Sequence, residues 1–351
     1  MNRVTVKGTA YEQGVQQGTQ LREVIQQNVD LVSASLIKNS INQAEYKQFI
    51  DANVDFLKRE YPEIIEEMQG IAQGSGISHE DILQLNIPAY FMKDYFNQEC
   101  SMLLVRGKAT QDGNTYIIKN RDMSIYLQQV VVQREYPDGL KIAEVNGAGT
   151  VTYPACGVNS YGVGVTNTGF WSKKATSDVE RVGDAQITVN SHLILRSCKT
   201  AREALQNLLD NPRINGLNVI IADKTDAYLI ELTKNDAYVE KDTGAGVLFR
   251  SNHYVSAEMS WMNPDQKEYT STFKRYDRIQ ELVNEQYGNL RFQDLFRIMS
   301  DHENDVNSIC RHPQKGAPAQ TVSSSMIVLE DLEVWTTVGN PCEQLPHASA
   351  R

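Results

Sequence analysis

The chain has 351 residues, of which 41% are hydrophobic and 22% charged, which is the composition of a globular protein with a substantial core. A net charge of −10 without a lysine and arginine cluster argues against binding to nucleic acid or to an anionic membrane. No apolar run reaches the roughly 20 residues that span a bilayer, and the N-terminus lacks the pattern of a secretory signal.

The cysteines are widely spaced along the chain: Cys100, Cys156, Cys198, Cys310 and Cys342. Their number is odd and no two form a CxxC pair, which argues against a disulfide framework and favours a reducing compartment. We therefore expect a cytoplasmic protein.

The first part of the chain, residues 8–98, has the spacing of helices. Apolar residues recur at helical intervals over 21–36 and again over 56–71, and Gly74-Ser75-Gly76 interrupts the second run. Ser78 followed three positions later by Asp81 predicts the N-cap of a further helix.

After residue 100 the sequence changes to short β-branched and aromatic segments separated by turn residues, which is typical of strands and hairpins. The predicted strands are 101–107, 114–121, 128–136, 141–146, 162–170, 217–223, 227–232, 324–329 and 333–338. Helices are predicted over 188–210, 272–286 and 290–301. An order of strands, helices and strands favours sheets that pack face to face with helices outside.

Cys100 stands where the helical part gives way to the first strand. A free cysteine is most often a small buried hydrophobic residue. A catalytic thiol instead needs a lowered pKa or a neighbouring base. If the Glu99–Cys100 bond is cut, the new α-amino group, which titrates near ~8, can act as that base. On the residues alone, both interpretations stay open.

The local signatures of several other enzyme classes are absent from the sequence. There is no GxxxxGK[ST] or GxGxxG loop, no GxSxG elbow and no HExxH motif. The six histidines lack metal-ligand spacing, so we expect neither a metal nor an organic cofactor. A conventional cysteine peptidase with a histidine partner is disfavoured, because Cys100 has neither a papain-like nor a caspase-like context.

A set of motifs resembles, in order and spacing, the acyl-coenzyme A:6-aminopenicillanic acid acyltransferase family, peptidase family C45 of the N-terminal-nucleophile (Ntn) hydrolases. The motifs are Gly8–Gly18, Glu67–Ala72, Leu85-Asn86, Cys100, Lys119–Asp122, Gly157–Asn167, Asn218–Asp223, Ser251–His253, Asn307–Pro313 and Gly339–Cys342.

The resemblance implies an α+β fold, a four-layer αββα sandwich with a helical N-terminal segment. It also implies a precursor that cuts itself between Glu99 and Cys100, leaving two associated fragments. Residues 1–99 would be the helical N-terminal segment, and residues 100–351 the αββα catalytic part beginning at Cys100.

The resemblance also assigns catalytic residues. Cys100 would be the nucleophile in self-cleavage and in acyl transfer. Asp122 would hold the α-ammonium group or a water molecule, although a strand-end turn residue is the alternative. Asn252 would donate a hydrogen bond to the oxyanion, although a loop asparagine that bonds its own backbone is the alternative.

Three further residues are candidates for substrate binding. Arg121 adjoins Asp122, and on a strand the two would face opposite sides. Arg311 would pair with Asp122 or with a substrate carboxylate, unless it forms a structural ion pair. Asn167, which follows the Gly-rich strand, would line the acyl pocket or donate a hydrogen bond to the oxyanion, unless it is a turn residue at the end of that strand.

Other polar residues near these motifs are given structural roles. We expect His253 to point away from the site, Arg275 and Arg278 to be solvated, and the cysteines other than Cys100 to be buried hydrophobic residues.

These inferences predict an enzyme that carries an acyl group as a thioester on Cys100. The acyl donor would be an amide or an acyl-coenzyme A thioester, and the acceptor an amine or water. The alternative is a non-catalytic, uncleaved binding or scaffold protein with the same fold. Glu99 supports this alternative, because a carboxylate beside the scissile bond can hinder the N-to-S acyl shift as well as assist it.

Overall fold

The computed structural model describes residues 2–89, 99–170, 190–211, 216–314, 317 and 319–348. The helices are α1 (Ala10–Lys38), α2 (Gln43–Glu60), α3 (Pro62–Ser75), α4 (His79–Asn86), α5 (Asn190–Ser197), α6 (Ala201–Asp210), α7 (Thr270–Glu285) and α8 (Phe292–Met299). Short 3₁₀ helices cover Gly107–Ala109, Ser260–Met262 and Asp305–Asn307.

The strands form two sheets. They are β1 (Asn2–Lys7), β2 (Glu99–Val105), β3 (Tyr116–Met123), β4 (Gln129–Glu135), β5 (Lys141–Gly147), β6 (Cys156–Asn159), β7 (Gly164–Phe170), β8 (Gly216–Ala222), β9 (Ala227–Leu232), β10 (Ala237–Lys241), β11 (Val247–Arg250), β12 (Gln320–Val328), β13 (Glu333–Thr336) and β14 (His347–Ala348). The larger sheet has the order β1-β4-β5-β6-β7-β8-β9-β10, and the smaller β11-β2-β3-β12-β13-β14. β1 runs parallel to β4.

The two sheets face each other across an apolar layer, and helices cover their outer faces. Residues from both sheets meet in this layer, among them Met102 and Ile327 from the smaller sheet and Val145 and Ile220 from the larger. Helices α1–α4 and α5–α6 pack on the larger sheet, and α7–α8 pack on the smaller. The predicted four-layer αββα sandwich is therefore confirmed.

The helical N-terminal segment is built into this sandwich. β1 is the edge strand of the larger sheet, and its alternating Val4 and Val6 are buried. The sequence prediction missed this strand because it is short and precedes a long helical run. Asp81 donates its backbone N–H to the Ser78 side chain at 3.1 Å, so the predicted N-cap of α4 is confirmed.

Helices α1 and α3 cross in close contact at glycines. A Cβ atom at Gly14 would overlap the Glu67 carbonyl oxygen, and one at Gly70 would overlap the Tyr11 carbonyl oxygen. Gly18 and Gly74 are equally restricted by opposing backbone atoms. Gly14, Gly18 and Gly70, which belong to the first two motifs, therefore serve helix packing, and so does Gly74.

A buried ionic cluster joins the helical segment to the larger sheet. Arg134 on β4 donates to Glu67 of α3 and to Glu144 of β5, at 2.6 Å in each case. The second oxygen of Glu144 lies 3.2 Å from Nδ1 of His192 on α5. Burial raises the pKa of Glu144, but the charges of Arg134 and His192 outweigh it and lower that pKa to about 2.

Other element predictions were partly right. Most predicted strands are present within a few residues, but β6, β10, β11 and β14 were missed, and the predicted 188–210 helix is the pair α5 and α6. Residues 90–98 and 188–189, which fall in predicted helical runs, lie outside the described residues. Across the part of the chain that the structure describes, no helix combines the length and apolar character needed to cross a bilayer.

Candidate active site

Strand alternation places the Cys100 side chain between the two sheets. Cys100 lies on β2 with Met102 and Leu104, which belong to the layer between the sheets. Side chains two apart on a strand share a face, so the thiol points the same way, and Cys100 is only 6% exposed. Glu99 therefore points to the opposite face, towards α7.

The backbone of Cys100 is held on both sides. Its N–H donates to Oδ1 of Asn252 at 2.8 Å, and its carbonyl oxygen accepts a hydrogen bond from Nη1 of Arg275. Nη2 of Arg275 also donates to Oδ1 of Asn252, at 2.8 Å, and the Asn252 amide nitrogen donates to the Gly169 carbonyl at 2.6 Å. These partners fix the orientation of the Asn252 amide.

Glu99 is held by two arginines and a serine. Its carboxylate lies 2.7 Å from Nη2 of Arg275 and 2.5 Å from Nη1 of Arg311, and it accepts a 2.5 Å hydrogen bond from Ser271. Burial would raise the pKa of Glu99, but Arg275 and Arg311 together hold it below its ordinary value. The residue before the cysteine is therefore a buried carboxylate anion.

Arg275 is the main correction to the predicted site. The sequence predicted a solvated side chain, but Arg275 is fully buried. On α7 it lies in register with the buried Ser271, Ile279 and Val283, four residues apart in turn. That spacing was a signal that the arginine faces inward. Arg278 lies nearer the surface, with 22% of its side chain exposed, and pairs with Asp301 at 2.9 Å.

Asp122 lies directly opposite Glu99 on the paired strand β3, and so on the face away from the thiol. It is fully buried, and its Oδ1 accepts a 2.7 Å hydrogen bond from Thr321. Its Oδ2 has no hydrogen-bond partner among the described residues. Burial raises the pKa of Asp122 to about 6, although Arg275 and Arg311 act in the opposite direction.

Lys119 is a site residue that the sequence reasoning missed. It shares the Cys100 face of β2 and β3, since it pairs with Met102 while Arg121 pairs with Cys100. Lys119 is 4% exposed, and its Nζ donates to Oδ1 of Asn167 at 3.4 Å. Burial lowers the pKa of the Lys119 ammonium group, while the neighbouring Cys100 acts to raise it. Its position two residues before Arg121 was the available signal.

The three predicted substrate-binding residues are divided between the two faces of the smaller sheet. Arg121 lies opposite Cys100, donates to Gln129 at 3.2 Å and stacks 5.3 Å from the Tyr153 ring centroid. Asn167 is on the Cys100 side, because its Oδ1 accepts a hydrogen bond from Lys119. Arg311 lies on the Glu99 side, and its ion pair is with Glu99 rather than with Asp122.

His253 is buried, and its contacts are with Ser251, Thr272 and the Phe273 ring rather than with Cys100. Burial lowers its pKa to about 3, so the ring is neutral at physiological pH. The prediction that all four other cysteines are buried is wrong for Cys342, which is exposed.

Two facing sheets covered by helices on both outer faces, with a cysteine at the second position of β2, match the architecture expected for the Ntn hydrolases that the sequence motifs resemble. The family model for acyl-coenzyme A:6-aminopenicillanic acid acyl-transferase matches residues 109–343, and the chain belongs to this family. The matched range begins after Cys100 and includes Asp122, Asn252 and Arg311.

Several solved structures resemble this one. A mutant of conjugated bile acid hydrolase from Clostridium perfringens is 14% identical over 72% of this chain and 97% of its own, with a TM-score of 0.45. Penicillin V acylase from Agrobacterium tumefaciens is 12% identical over 68% of this chain and 83% of its own, with a TM-score of 0.45. The N-acylethanolamine-hydrolyzing acid amidase ortholog of Caenorhabditis elegans is 13% identical over 66% of this chain and 93% of its own, with a TM-score of 0.46. No curated protein matches the sequence.

Proposed function

We propose that this protein is a self-processing cysteine acyltransferase or amidohydrolase that carries its acyl group as a thioester on Cys100. The proposal rests on the hydrogen bonds and ion pairs that hold Glu99 and Cys100 in place. Asn252 binds the Cys100 amide, Arg275 binds its carbonyl oxygen, and Arg275 and Arg311 bind the Glu99 side chain. Such positioning is what an intramolecular attack on a peptide bond requires.

In the self-processing step, the Cys100 sulfur attacks the carbonyl carbon of Glu99. The carbon–nitrogen bond to Cys100 breaks, and the thiol proton passes to the departing nitrogen. Water then hydrolyses the thioester, which releases the main-chain α-carboxylate of Glu99 and restores the thiol. The nitrogen that becomes the new α-amine is the one that already donates to Asn252.

Two charged residues support the acyl-transfer cycle that follows. Lys119 shares the Cys100 face of β2 and β3 and places a buried amino group on the thiol side of the smaller sheet. Asp122 offers a buried carboxylate oxygen that has no partner among the described residues, opposite Glu99 and next to Arg121, which pairs with Cys100. The acyl donor would be an amide or an acyl-coenzyme A thioester, and an amine or water would accept the acyl group, with no metal or organic cofactor in the reaction.

Cleavage would also change the charge balance of the site. While the chain is intact, the Glu99 carboxylate forms ion pairs with both Arg275 and Arg311. Release of Glu99 would leave both guanidinium groups able to bind another carboxylate, since paired arginine donors match carboxylate geometry. We therefore propose that a carboxylate of the acyl donor or acceptor takes this place, with Arg311 as its main ligand. Arg121 and Asn167 would contact the substrate on the thiol side.

A second candidate is an uncleaved binding protein. The contacts of Glu99 with Arg275, Arg311 and Ser271 favour it, because they stabilise the intact chain as well as position it. The two candidates differ in a directly measurable property, the covalent continuity of the chain.

The test is the intact mass of fresh and aged protein. Cleavage before Cys100 would convert the 39.5 kDa chain into associated fragments of about 11 and about 28 kDa, the larger beginning at Cys100. Cys100→Ala should stay intact and inactive towards a panel of N-acyl amides and acyl-coenzyme A thioesters, whereas Cys198→Ala should behave as wild type. An intact wild-type chain with an unreactive thiol would favour the binding protein.

A further inference from the structure

Two histidines and two cysteines meet in a cluster outside the site around Cys100. His302 follows α8, Cys310 and His312 precede β12, and Cys342 follows β13. The nitrogen and sulfur atoms that each could offer to a metal all lie within 4.8 Å of one another. Cys310 is buried, His312 is half-buried, and His302 and Cys342 reach the surface.

Three of the six distances between these atoms are close to the edges of a tetrahedron around one ion, and all six are within 4.8 Å. The two Nε2 atoms of His302 and His312 are 3.2 Å apart, the two sulfur atoms of Cys310 and Cys342 are 3.6 Å apart, and His312 Nε2 lies 3.3 Å from the Cys342 sulfur. Zinc binds sulfur at about 2.3 Å and nitrogen at about 2.0–2.1 Å. For a regular tetrahedron these bonds give edges of about 3.3 Å between nitrogens, about 3.8 Å between sulfurs and about 3.6 Å between nitrogen and sulfur.

We infer that His302, Cys310, His312 and Cys342 bind a zinc ion. A Cys₂His₂ set that supplies all four ligands is typical of structural rather than catalytic zinc, because no position is left for water or substrate. The inference does not depend on the proposed function. It differs from the expectation of no metal, which rested on the spacing of residues in sequence rather than in space.

Neighbouring groups fit the same interpretation. Asn340 donates to the Cys310 sulfur at 3.3 Å, and a carboxylate oxygen of Glu343 lies 3.7 Å from Nδ1 of His312. Hydrogen bonds to ligand sulfur and a carboxylate near the second nitrogen of a ligand histidine are recurrent around protein zinc sites.

The cluster is connected to the proposed active site through Arg311, which stands between two of the ligands. The Arg311 backbone is fixed by Thr321 and Asn340, at 2.9 and 2.6 Å, and its side chain pairs with Glu99. Zinc bound to Cys310 and His312 would therefore hold the segment that presents Arg311, which makes the ion a positioning element for that residue.

A disulfide between Cys310 and Cys342 is the competing arrangement. A disulfide bond is about 2.05 Å long, whereas the two sulfurs here are 3.6 Å apart and both thiols are free. A disulfide would consume both sulfur ligands, so the two arrangements exclude each other.

The test is the zinc content of the full-length chain, purified without a histidine tag under reducing conditions and carrying Cys100→Ala to keep it intact. We expect about one zinc per chain by elemental analysis, and tetrahedral cobalt absorption when Co²⁺ replaces it. Cys342→Ser and His302→Asn alter surface ligands, so the fold should survive. We expect zinc affinity to fall at least about 10-fold in each variant. Cys198→Ser and His347→Asn, which alter residues outside the cluster, should keep the metal.

Three results would overturn the inference. One is a reduced wild-type chain that binds neither zinc nor cobalt. Another is full zinc retention in the double variant Cys342→Ser/His302→Asn, which would place the metal elsewhere. The third is a Cys310–Cys342 disulfide found by peptide mass analysis in protein prepared without oxidant. Metal removal should also lower the melting temperature of the Cys100→Ala chain, and failure to do so would remove the positioning role.

Discussion

The carboxylate of Glu99 and the guanidinium of Arg275 lie 2.7 Å apart, in a pair whose side chains are 6% and 0% exposed. Arg275 also contacts the carbonyl oxygen of Cys100. Arg275 therefore contacts both residues of the peptide bond that we propose is cut. It binds the side chain of Glu99 and the backbone of Cys100. If that bond is cut as proposed, α7 as well as the strand that carries the cysteine would control the reaction.

Loss of the Glu99 charge should destabilise the intact chain. Glu99→Gln would leave Arg275 and Arg311 buried without that counter-charge, and breaking a buried pair in this way costs about 3–5 kcal/mol. The measurement is the free energy of unfolding in urea, in a Cys100→Ala background that prevents cleavage. Glu240→Gln is the matched control, because Glu240 is 39% exposed in its pair with Arg250 and its loss should cost less than about 1 kcal/mol. Equal losses in the two variants would show that the Glu99 pairs are not stabilising.

The rate of acyl transfer should depend on the charge of Asp122. Its pKa is raised by burial from 3.8 to about 6, so the carboxyl is neutral below that pH and anionic above it. If the anion holds the α-ammonium group, activity rises as pH increases through about 6, and Asp122→Asn removes this rise. The measurement is a rate profile from about pH 4.5 to about pH 8. Asp138→Asn, at an exposed carboxylate with a lowered pKa, should keep the rise. If activity still rises through about pH 6 in Asp122→Asn, the rise comes from the titration of another group.

Glu144 should make the fold sensitive to acid. Its pKa is about 2 in the folded protein against an ordinary 4.5, so its stabilising contribution is complete above about pH 4.5 and is lost as pH falls towards 2. Glu144→Gln should cost about 3–5 kcal/mol at pH 7, and its difference from wild type should shrink as pH falls. Urea unfolding at several pH values measures this. Glu135→Gln, at an exposed pair with Lys7, should show a small difference at every pH, and a constant large difference for Glu144→Gln would contradict the assignment.

Gly14→Ala should weaken the crossing of α1 and α3. Alanine improves intrinsic helix propensity by up to about 1 kcal/mol, but its methyl group would overlap the backbone carbonyl of Glu67, which cannot move aside as a side chain would. We expect a net loss of about 1–3 kcal/mol, as for other overpacked interfaces. Thermal and urea unfolding measure it, with Gln27→Ala on the exposed face of α1 as a control that should change stability by less than about 0.5 kcal/mol. An unchanged or raised stability for Gly14→Ala would mean that the helices can separate at low cost.

Local pattern alone was enough to predict much of the fold. Apolar spacing located α1 and α3, the Ser78 cap located the start of α4, and β-branched segments between turns located most of the strands. The order of these elements indicated the layered sandwich, and the motifs indicated the family. These features depend on neighbours within a few residues, which is the range over which a sequence can be interpreted directly.

The surroundings of Cys100 were decided by tertiary structure. An arginine in a charged amphipathic helix is normally solvated, because burying its charge is costly without a partner. For Arg275 that partner is Glu99, 176 residues away in sequence, so only the path of the chain reveals it. Likewise, only the path of the chain brings Lys119 to the Cys100 face of the sheet and His302 close to Cys342. The sequence by itself determined the periodic elements and the place of Cys100 near the start of the first strand after the helical segment. Tertiary structure decided which charged side chains meet and which histidines and cysteines cluster, because these contacts join segments that are distant along the chain.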